Sequence, residues 1–177
     1  MENHILPPSE ETLRSLRHLR VVRNFQPKPI ADRDLDRILE VARWTGSSKN
    51  RQSWVFVVIR DRTQLDLLAE CGSFTTPIRG SALVIAPVGL PDVYEWDLGR
   101  VSQNIMLAAA ADGVGSCPVS LHRTEAGRAV LGVPDDHVCK VVIALGYPDG
   151  IAEQAARSTN PLSGRRALSD LVRFERF

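Results

Sequence analysis

Arginines near the N-terminus form the first group of side chains that could bind a ligand in this 177-residue chain. Arg20 and Arg23 fall just after the first predicted helix, in a short connection. Guanidinium groups there could bind a dianionic phosphate bidentately, or place positive charge beside a ligand atom that becomes anionic on reduction. Arg14 and Arg17 continue the three-residue spacing, and a solvated helix face is the simpler interpretation for them.

A polar loop between a helix and a strand is the second group. Ser47, Ser48, Asn50 and Gln52 crowd into this loop, although a helix-to-strand connection needs only a few residues of turn chemistry. The density of donors and acceptors predicts ligand recognition. The alternative is that the amides satisfy backbone groups of the turn and that Trp54 belongs to the core, which is the simpler interpretation for Gln52 and Trp54.

Composition and spacing exclude several other classes of protein. A net charge of +1 argues against dedicated duplex binding. The hydrophobic fraction of 44% and the charged fraction of 24% are typical of a globular domain, and no apolar run could span a bilayer. The cysteine count of 3 is odd and shows no metal-type spacing, which favours a reducing compartment. We therefore expect a cytoplasmic protein that binds neither nucleic acid nor a membrane.

Three other kinds of site find no support in the sequence. Cys117 and Cys139 lack a recognised activating histidine arrangement, so buried structural thiols are expected. No nucleophile elbow, metal-ligand cluster or phosphate-binding P-loop occurs. The Gly113-Val-Gly115 sequence follows a helix and lacks the third glycine of a dinucleotide fingerprint.

Apolar periodicity predicts the elements that position these groups. Helices are expected from a Ser9 cap to about His18, from an Asp32 cap to about Trp44, at about 63–70, from an Asp92 cap to Asp112, and from a Thr124 cap to Gly132. Strands are expected at 54–59, 82–88 and 138–145, with only a short connecting segment at 115–120. The alternation indicates one domain, residues 1–177, in which helices cover a central sheet in an α/β or α+β arrangement.

The arginine segment resembles an N-terminal motif of the nitroreductase family of FMN-dependent oxidoreductases. That motif reads Arg-x-Ser-x-Arg-x-Phe, and alignment on Phe25 places its last basic position on Arg23. Arg20 lies next to the first arginine position, and Val21 replaces the serine. The resemblance implies that Arg20 binds the FMN phosphate and that Arg23 binds the phosphate or the N1/C2 oxygen edge, with Val21 lying between them in the site.

The polar loop resembles the family pattern Pro-Ser-x-x-Asn-x-Gln-Pro-Trp, with Gly46 and Ser53 in place of the prolines. In the family this loop reaches the flavin of the neighbouring subunit. The resemblance therefore implies that Ser47, Ser48 and Asn50 complete a site on the other chain of a homodimer.

Two later segments extend the resemblance. Residues 113–121 are similar to Gly-Leu-Gly-Thr-Cys-Trp-Ile-Gly-Gly, whose final backbone amides face flavin N5, so Ser120 and Leu121 are implied at that position. Residues 163–168 resemble an Arg-Lys-Pro-Leu element that reaches the phosphate; Arg165 is the closer match and Arg166 the alternative, while an exposed tail charge remains open for both.

Together these motifs imply an α+β, nitroreductase-like three-layer sandwich with a central, mostly antiparallel sheet covered by helices. They imply a homodimer with two interfacial FMN sites, and residues 149–177 as a C-terminal arm packing on the dimer partner. NADPH or NADH would reduce FMN at N5, and a small-molecule acceptor such as a nitroaromatic or quinone would then take the electrons in a ping-pong cycle. The rival hypotheses are a non-catalytic flavin-binding or storage module, and a nucleic-acid or membrane-surface protein that uses the face from Arg14 to Arg23.

Overall fold

The computed structural model describes residues 10–159 and 164–177. Its helices are α1 (Glu10–His18), α2 (Asp32–Arg43), α3 (Arg62–Ala69), α4 (Thr76–Gly80), α5 (Glu95–Ala111), α6 (Thr124–Leu131) and α7 (Gly150–Thr159). Its strands are β1 (Trp54–Ile59), β2 (Leu83–Gly89), β3 (Gly115–Ser120) and β4 (Val141–Gly146). Short 3-10 turns occupy Ser48–Asn50 and Leu168–Asp170. No helix among these residues has the length and apolarity needed to cross a bilayer.

The four strands form one antiparallel sheet in the order β1-β2-β4-β3. Trp54 lies opposite Gly89 in the first pair, and Ser120 lies opposite Val141 in the last. The central strand β2 is buried along its whole length, as its apolar run requires. β3 forms one edge of the sheet and contains Pro118, a residue that an edge tolerates because it has no amide to donate.

Helices cover both faces of the sheet, which produces three layers. One core includes Ile38 of α2 and Ile105 of α5 with Ile85 of the sheet. The other includes Leu65 and Leu68 of α3. Alternate residues of each strand therefore enter opposite cores, as the two-residue period of a strand requires. This confirms the expected α+β three-layer sandwich with a helix-covered antiparallel sheet.

The sequence predicted some of the helix and strand boundaries correctly. β1 covers the six predicted residues, and the helix stops at Gly113 and Gly132 are real, with φ of 71° and 65° that glycine adopts without penalty. The segment at 115–120 is a full strand, which differs from the expected connection. The helices α4 and α7 were not predicted at all.

The predicted caps of α2 and α5 are wrong. Ala31 holds the N-cap position of α2, and Asp32 lies in the first turn, where its carboxylate accepts a hydrogen bond from Arg60 at 2.6 Å. The helix α5 begins at Glu95, three residues after Asp92. An acidic residue near a helix start can stabilise the dipole from within the first turn, so it need not be the cap itself.

Three further boundaries differ or cannot be compared. Arg123 precedes α6 as its N-cap, and Thr124 is the first helical residue. The strand β4 begins at Val141, while Val138 forms only an isolated bridge to Gly89. The expected cap at Ser9 lies outside the described residues.

Candidate functional site

An arginine-lined cavity of about 690 Å³ lies between the segment after α1, the helix α7 and Arg165. We call it the arginine cavity. Its lining consists of Leu19, Arg20, Val21, Arg23, Asn24, Glu153, Ala156, Arg157 and Arg165. The structure thus brings together two arginines near the N-terminus and one near the C-terminus, all three of them predicted site residues. Four guanidiniums against one carboxylate leave a formal charge of +3 around this cavity.

The segment that carries Arg20 and Arg23 is fixed to the sheet by its backbone. The Val22 amide donates to the Ser116 carbonyl at 2.9 Å, and the Gln26 amide donates to the Tyr147 carbonyl at 2.8 Å. Val21 packs against both hydrophobic cores. The arginines therefore project from a backbone that is anchored on both sides.

Two glycines make room for this segment. Gly115 and Gly146 lie opposite each other on β3 and β4. A Cβ on Gly115 would lie 2.8 Å from Val22 Cβ, and a Cβ on Gly146 would lie 2.8 Å from Phe25 Cγ. Any larger residue would push the segment away from the sheet.

Glu153 of α7 holds the segment from the other side. Its Oε1 accepts hydrogen bonds from the Arg23 amide at 2.6 Å, the Asn24 amide at 2.7 Å and Asn24 Nδ2 at 3.0 Å. Burial acts to raise the pKa of Glu153, but these hydrogen bonds outweigh burial and the pKa lies below its usual value. Glu153 carries no signal in the sequence, because nothing in its neighbourhood distinguishes it from a surface glutamate.

The remaining arginines differ in how they are held. Arg20 Nη1 donates to the Arg17 and Leu19 carbonyls at 2.8 and 2.9 Å, closing the end of α1. Arg165 lines the cavity, whereas Arg166 Nη2 donates to the Asp170 carbonyl at 3.0 Å and does not line it. Of the two C-terminal candidates, only Arg165 is placed to bind a ligand in the arginine cavity.

Ser120 and Leu121 differ in what their amides do. The Leu121 amide donates to the Lys140 carbonyl at 2.9 Å, so it is used within the sheet and does not face a ligand. Successive residues of an edge strand direct their amides to opposite sides, so the Ser120 amide faces the open edge. The space beside Ser120 is bounded by Gly72, because a Cβ there would lie 2.9 Å from the Ser120 carbonyl oxygen.

The polar loop is a compact structure with its own hydrogen bonds. Ser47 Oγ accepts from the Gln52 amide at 2.9 Å, and Gln52 Nε2 donates to Asn50 Oδ1 at 3.1 Å. Trp54 is a core residue, as the alternative interpretation held. Among the described residues, none from 46–52 lines the arginine cavity. Within one chain the loop and the arginines therefore do not share a pocket.

One face of α5 anchors this loop. Asp97 Oδ2 accepts from the Ser48 amide at 3.3 Å, Arg100 Nη1 donates to the Gly46 carbonyl at 2.6 Å, and Asn104 Nδ2 donates to Thr45 Oγ1 at 2.7 Å. The three anchoring residues follow one another at helical spacing, so they lie on one side of the helix. The loop is therefore held in a fixed shape by the adjacent helix.

The loop also holds unfavourable backbone angles. Lys49, Asn50 and Gln52 have φ values of 52°, 53° and 52°, in the left-handed region that side chains disfavour. This conformation costs about 1 to 2 kcal/mol for Lys49 and for Gln52, whereas asparagine tolerates it better. Strain of this kind concentrates at functional sites, where a particular shape is needed.

The three thiols are buried, as the sequence predicted for Cys117 and Cys139. Cys71, Cys117 and Cys139 are free and buried, and burial raises the pKa of Cys139 to about 11. Among the described residues, no group of three His, Cys, Asp or Glu side chains is arranged to hold a metal ion.

Comparison with known proteins identifies the family. The model of the nitroreductase family matches residues 16–85 and 78–147. A protein of Archaeoglobus fulgidus named "Putative NADH dehydrogenase/NAD(P)H nitroreductase" is 31% identical over 150 residues, covering 78% of this chain and 86% of that protein. A protein of the same name from Methanothermobacter thermautotrophicus is 26% identical and covers 78% of each chain.

Solved structures of other proteins share the fold of this chain. A "putative nitroreductase" from Desulfovibrio desulfuricans, crystallised in complex with FMN, superposes with a TM-score of 0.82 at 25% identity, covering 96% of this chain and 99% of that one. A "Putative NADH dehydrogenase/NAD(P)H nitroreductase" from Parabacteroides distasonis also gives a TM-score of 0.82, at 22% identity and with coverage of 96% and 100%. The family model spans more than half of the sequence, and the chain therefore belongs to the nitroreductase family.

Proposed function

We propose that this chain is an FMN-dependent oxidoreductase that uses NADPH or NADH to reduce a nitroaromatic, quinone or related small molecule in a ping-pong cycle. The observation that carries the proposal is the convergence of Arg20, Arg23 and Arg165 on one cavity. Arginines so far apart in sequence meet because the fold brings the segment after α1 close to α7 and Arg165. The FMN complex of the Desulfovibrio desulfuricans relative supports the choice of cofactor.

The residues present fit the phosphate end of FMN. A dianionic phosphate needs guanidinium donors and a local excess of positive charge, and the arginine cavity supplies both. Beside the segment that carries Arg20 and Arg23, the edge of β3 runs from Ser116, whose carbonyl binds the Val22 amide, to Ser120, a distance of about 13 Å for a strand of this length. The Ser120 amide then offers a donor that cannot titrate where the flavin ring would lie.

Bound FMN would supply the hydride and electron-transfer chemistry. The chain's own residues would bind the phosphate through Arg20, Arg23 and Arg165, orient the ring along β3, and stabilise negative charge on it. No side chain is required as a general acid. Arg23 would serve either the phosphate or the pyrimidine edge.

We further propose a homodimer in which Ser47, Ser48 and Asn50 complete the partner's site. The strained, anchored loop lies away from the arginine cavity of its own chain, which a contribution to a second chain would explain. The C-terminal arm carries exposed apolar residues, with Leu168 74% and Phe174 79% accessible. Apolar side chains that cluster on an exposed surface are typical of a protein–protein interface, and we assign these residues to the contact with the dimer partner. The free thiols fit a cytoplasmic location.

The visible spectrum of freshly purified protein tests the cofactor. We expect a yellow protein whose flavin absorbance bleaches when NADPH or NADH is added under nitrogen and returns when an acceptor is added. A yellow protein that neither donor bleaches would instead be a binding or storage module. A protein that takes up no FMN would refute the proposal.

Arg165→Ala and Arg166→Ala form a matched pair for the phosphate site. A hydrogen bond to a charged group contributes about 1.5 to 3 kcal/mol, so Arg165→Ala should weaken FMN binding by about tenfold or more. Arg166→Ala should leave FMN binding unchanged, because Arg166 bonds the Asp170 carbonyl outside the cavity. Equal effects from the two changes would remove Arg165 from the site.

Mixed dimers test the shared site. Arg23→Ala and Asn50→Ala would each impair both sites of a homodimer. A mixed dimer made from one chain of each kind would restore one intact site, because both changes fall in the other one. Absence of any recovered turnover on mixing, with exchange of subunits verified by mass, would show that the loop does not serve the partner.

A further inference from the structure

We propose that Glu153 is a positioning residue that holds Arg23 and Arg157 toward the cofactor phosphate. This inference rests on the proposed function, because it takes the arginine cavity to be the phosphate site. It adds two residues of α7 to that site, neither of which any of the sequence motifs includes. Arg157 becomes a fourth guanidinium for the phosphate, and Glu153 becomes the group that fixes its neighbours.

The carboxylate of Glu153 contacts the backbone at residues 23–24 with one oxygen and the side chain of Arg157 with the other. Oε1 receives the three hydrogen bonds from Arg23 and Asn24, at 2.6 to 3.0 Å. Oε2 lies 3.9 Å from Arg157 Nη2, one helical turn away. Glu153 is only 8% exposed, so water does not compete for these contacts. Both arginines line the arginine cavity, and the buried carboxylate lies between them.

A hydrogen bond in the opposite direction, in which the arginine segment accepts, strengthens its connection to α7. The Asp149 amide donates to the Asn24 carbonyl at 3.0 Å. Asp149 Oδ1 in turn accepts from the Ile151 and Ala152 amides at 3.1 and 3.0 Å, which starts α7. The first turn of α7 and the residues at 23–24 therefore hold each other in both directions. A displacement of α7 would move Arg23 with it.

The negative charge of Glu153 makes a positioning role beside a phosphate unexpected. A carboxylate beside a phosphate opposes its binding through like-charge repulsion. Its presence in a cavity of four arginines is explained if the backbone bonds gain more for the site than the charge loses. A substitution that removes the charge but keeps the acceptor therefore separates the two effects.

Glu153→Gln keeps an oxygen that can accept the hydrogen bonds of the Arg23 and Asn24 backbone amides, while Glu153→Ala leaves these amides without a partner. Positioning predicts that Glu153→Ala speeds FMN release by about tenfold or more, since a buried unpaired amide is costly. Glu153→Gln should stay within about threefold of the wild-type release rate. A role through charge alone predicts that both variants hold FMN more tightly.

Asp34→Ala is the matched control. Asp34 is also 8% exposed and accepts from Arg33 Nε and Tyr147 Oη, but it does not line the arginine cavity. Its loss should lower the melting temperature without speeding FMN release. Arg157→Ala gives a second route if Glu153→Ala does not fold. Its side chain is 65% exposed, so the fold should survive while FMN release quickens by several-fold.

The experiment measures FMN release from full-length purified protein by the fluorescence of the freed flavin, together with melting temperature and amide hydrogen exchange at Arg23 and Asn24. We expect fast exchange at both amides in Glu153→Ala, and protection in Glu153→Gln and Asp34→Ala. Equal release from Glu153→Ala and Asp34→Ala would overturn this inference alone, as would wild-type release in Arg157→Ala. Wild-type protein that binds no FMN would overturn the proposed function as well.

Discussion

Replacement of Gly146 by alanine should displace the arginine segment from the sheet. The new Cβ would lie 2.8 Å from Phe25 Cγ and 2.9 Å from both Phe25 Cβ and Cδ1. A rotation of the ring does not relieve this overlap, because Phe25 Cβ itself is in contact. The backbone of Phe25 is also bridged to Pro148, so the segment must move as a unit. Arg23, two residues earlier, moves with it.

The cost follows from overpacking in a close-packed interior, about 1 to 3 kcal/mol. For a chain of this size each kcal/mol lowers the melting temperature by about 2 to 4 °C, so a loss of 2 kcal/mol would appear as about 4 to 8 °C. Thermal unfolding followed by circular dichroism measures this change, and flavin release measures the displacement of Arg23.

The control is Gly150→Ala, four residues along the chain. A Cβ at Gly150 meets no atom within 4 Å, and the position is the first residue of α7, so alanine should be neutral or slightly stabilising. If Gly146→Ala matched Gly150→Ala in melting temperature and in flavin release, the close fit between Phe25 and the sheet would be refuted as the reason for a glycine there.

Three further predictions concern stability. Asp61→Ala should cost about 1 kcal/mol in urea unfolding, because Asp61 caps α3 by accepting from the Gln64 amide at 2.8 Å; an unchanged midpoint would contradict that role. Lys49→Gly should raise the melting temperature by relieving its left-handed φ, a gain of up to about 1 kcal/mol, and a decrease would show that the angle is not strained. Stability should fall as pH rises from 9.0 to about 11, because the unfolded Cys139 thiol ionises while the folded one stays protonated; Cys139→Ala should flatten that part of the curve in urea titrations, and an identical curve would exclude Cys139 as the cause.

The sequence predicted those elements that bury apolar side chains in a regular pattern. The strand β1 was placed to the residue because Trp54 to Ile59 is an unbroken aromatic and β-branched run. The strand β3 was missed because its residues are small and include Pro118, and an edge strand needs pairing on one side only. The helix α7 was missed because its buried residue among the described side chains is the carboxylate of Glu153, so it has no apolar stripe.

The candidate site was predicted in its residue types but not in its connections. The basic motifs indicated Arg20, Arg23 and Arg165, yet their meeting depends on how α7 and the arm return to the first segment. Spacing of side chains cannot give that path. Leu121 shows the same limit, since its use in the sheet follows from the register of β3 with β4. Long-range pairing of this kind has no local signal.

The anchored backbone from Val22 to Gln26 has a consequence for how the protein acquires a ligand. The bonds that fix this segment come from the protein itself, among them those to Ser116, Tyr147, Asp149 and Glu153. An anion bound by Arg23 would therefore meet a segment whose backbone is already ordered, and binding would lose no free energy in ordering that segment. Stripping and reconstitution of the ligand should be repeatable cycles that leave the surrounding architecture unchanged.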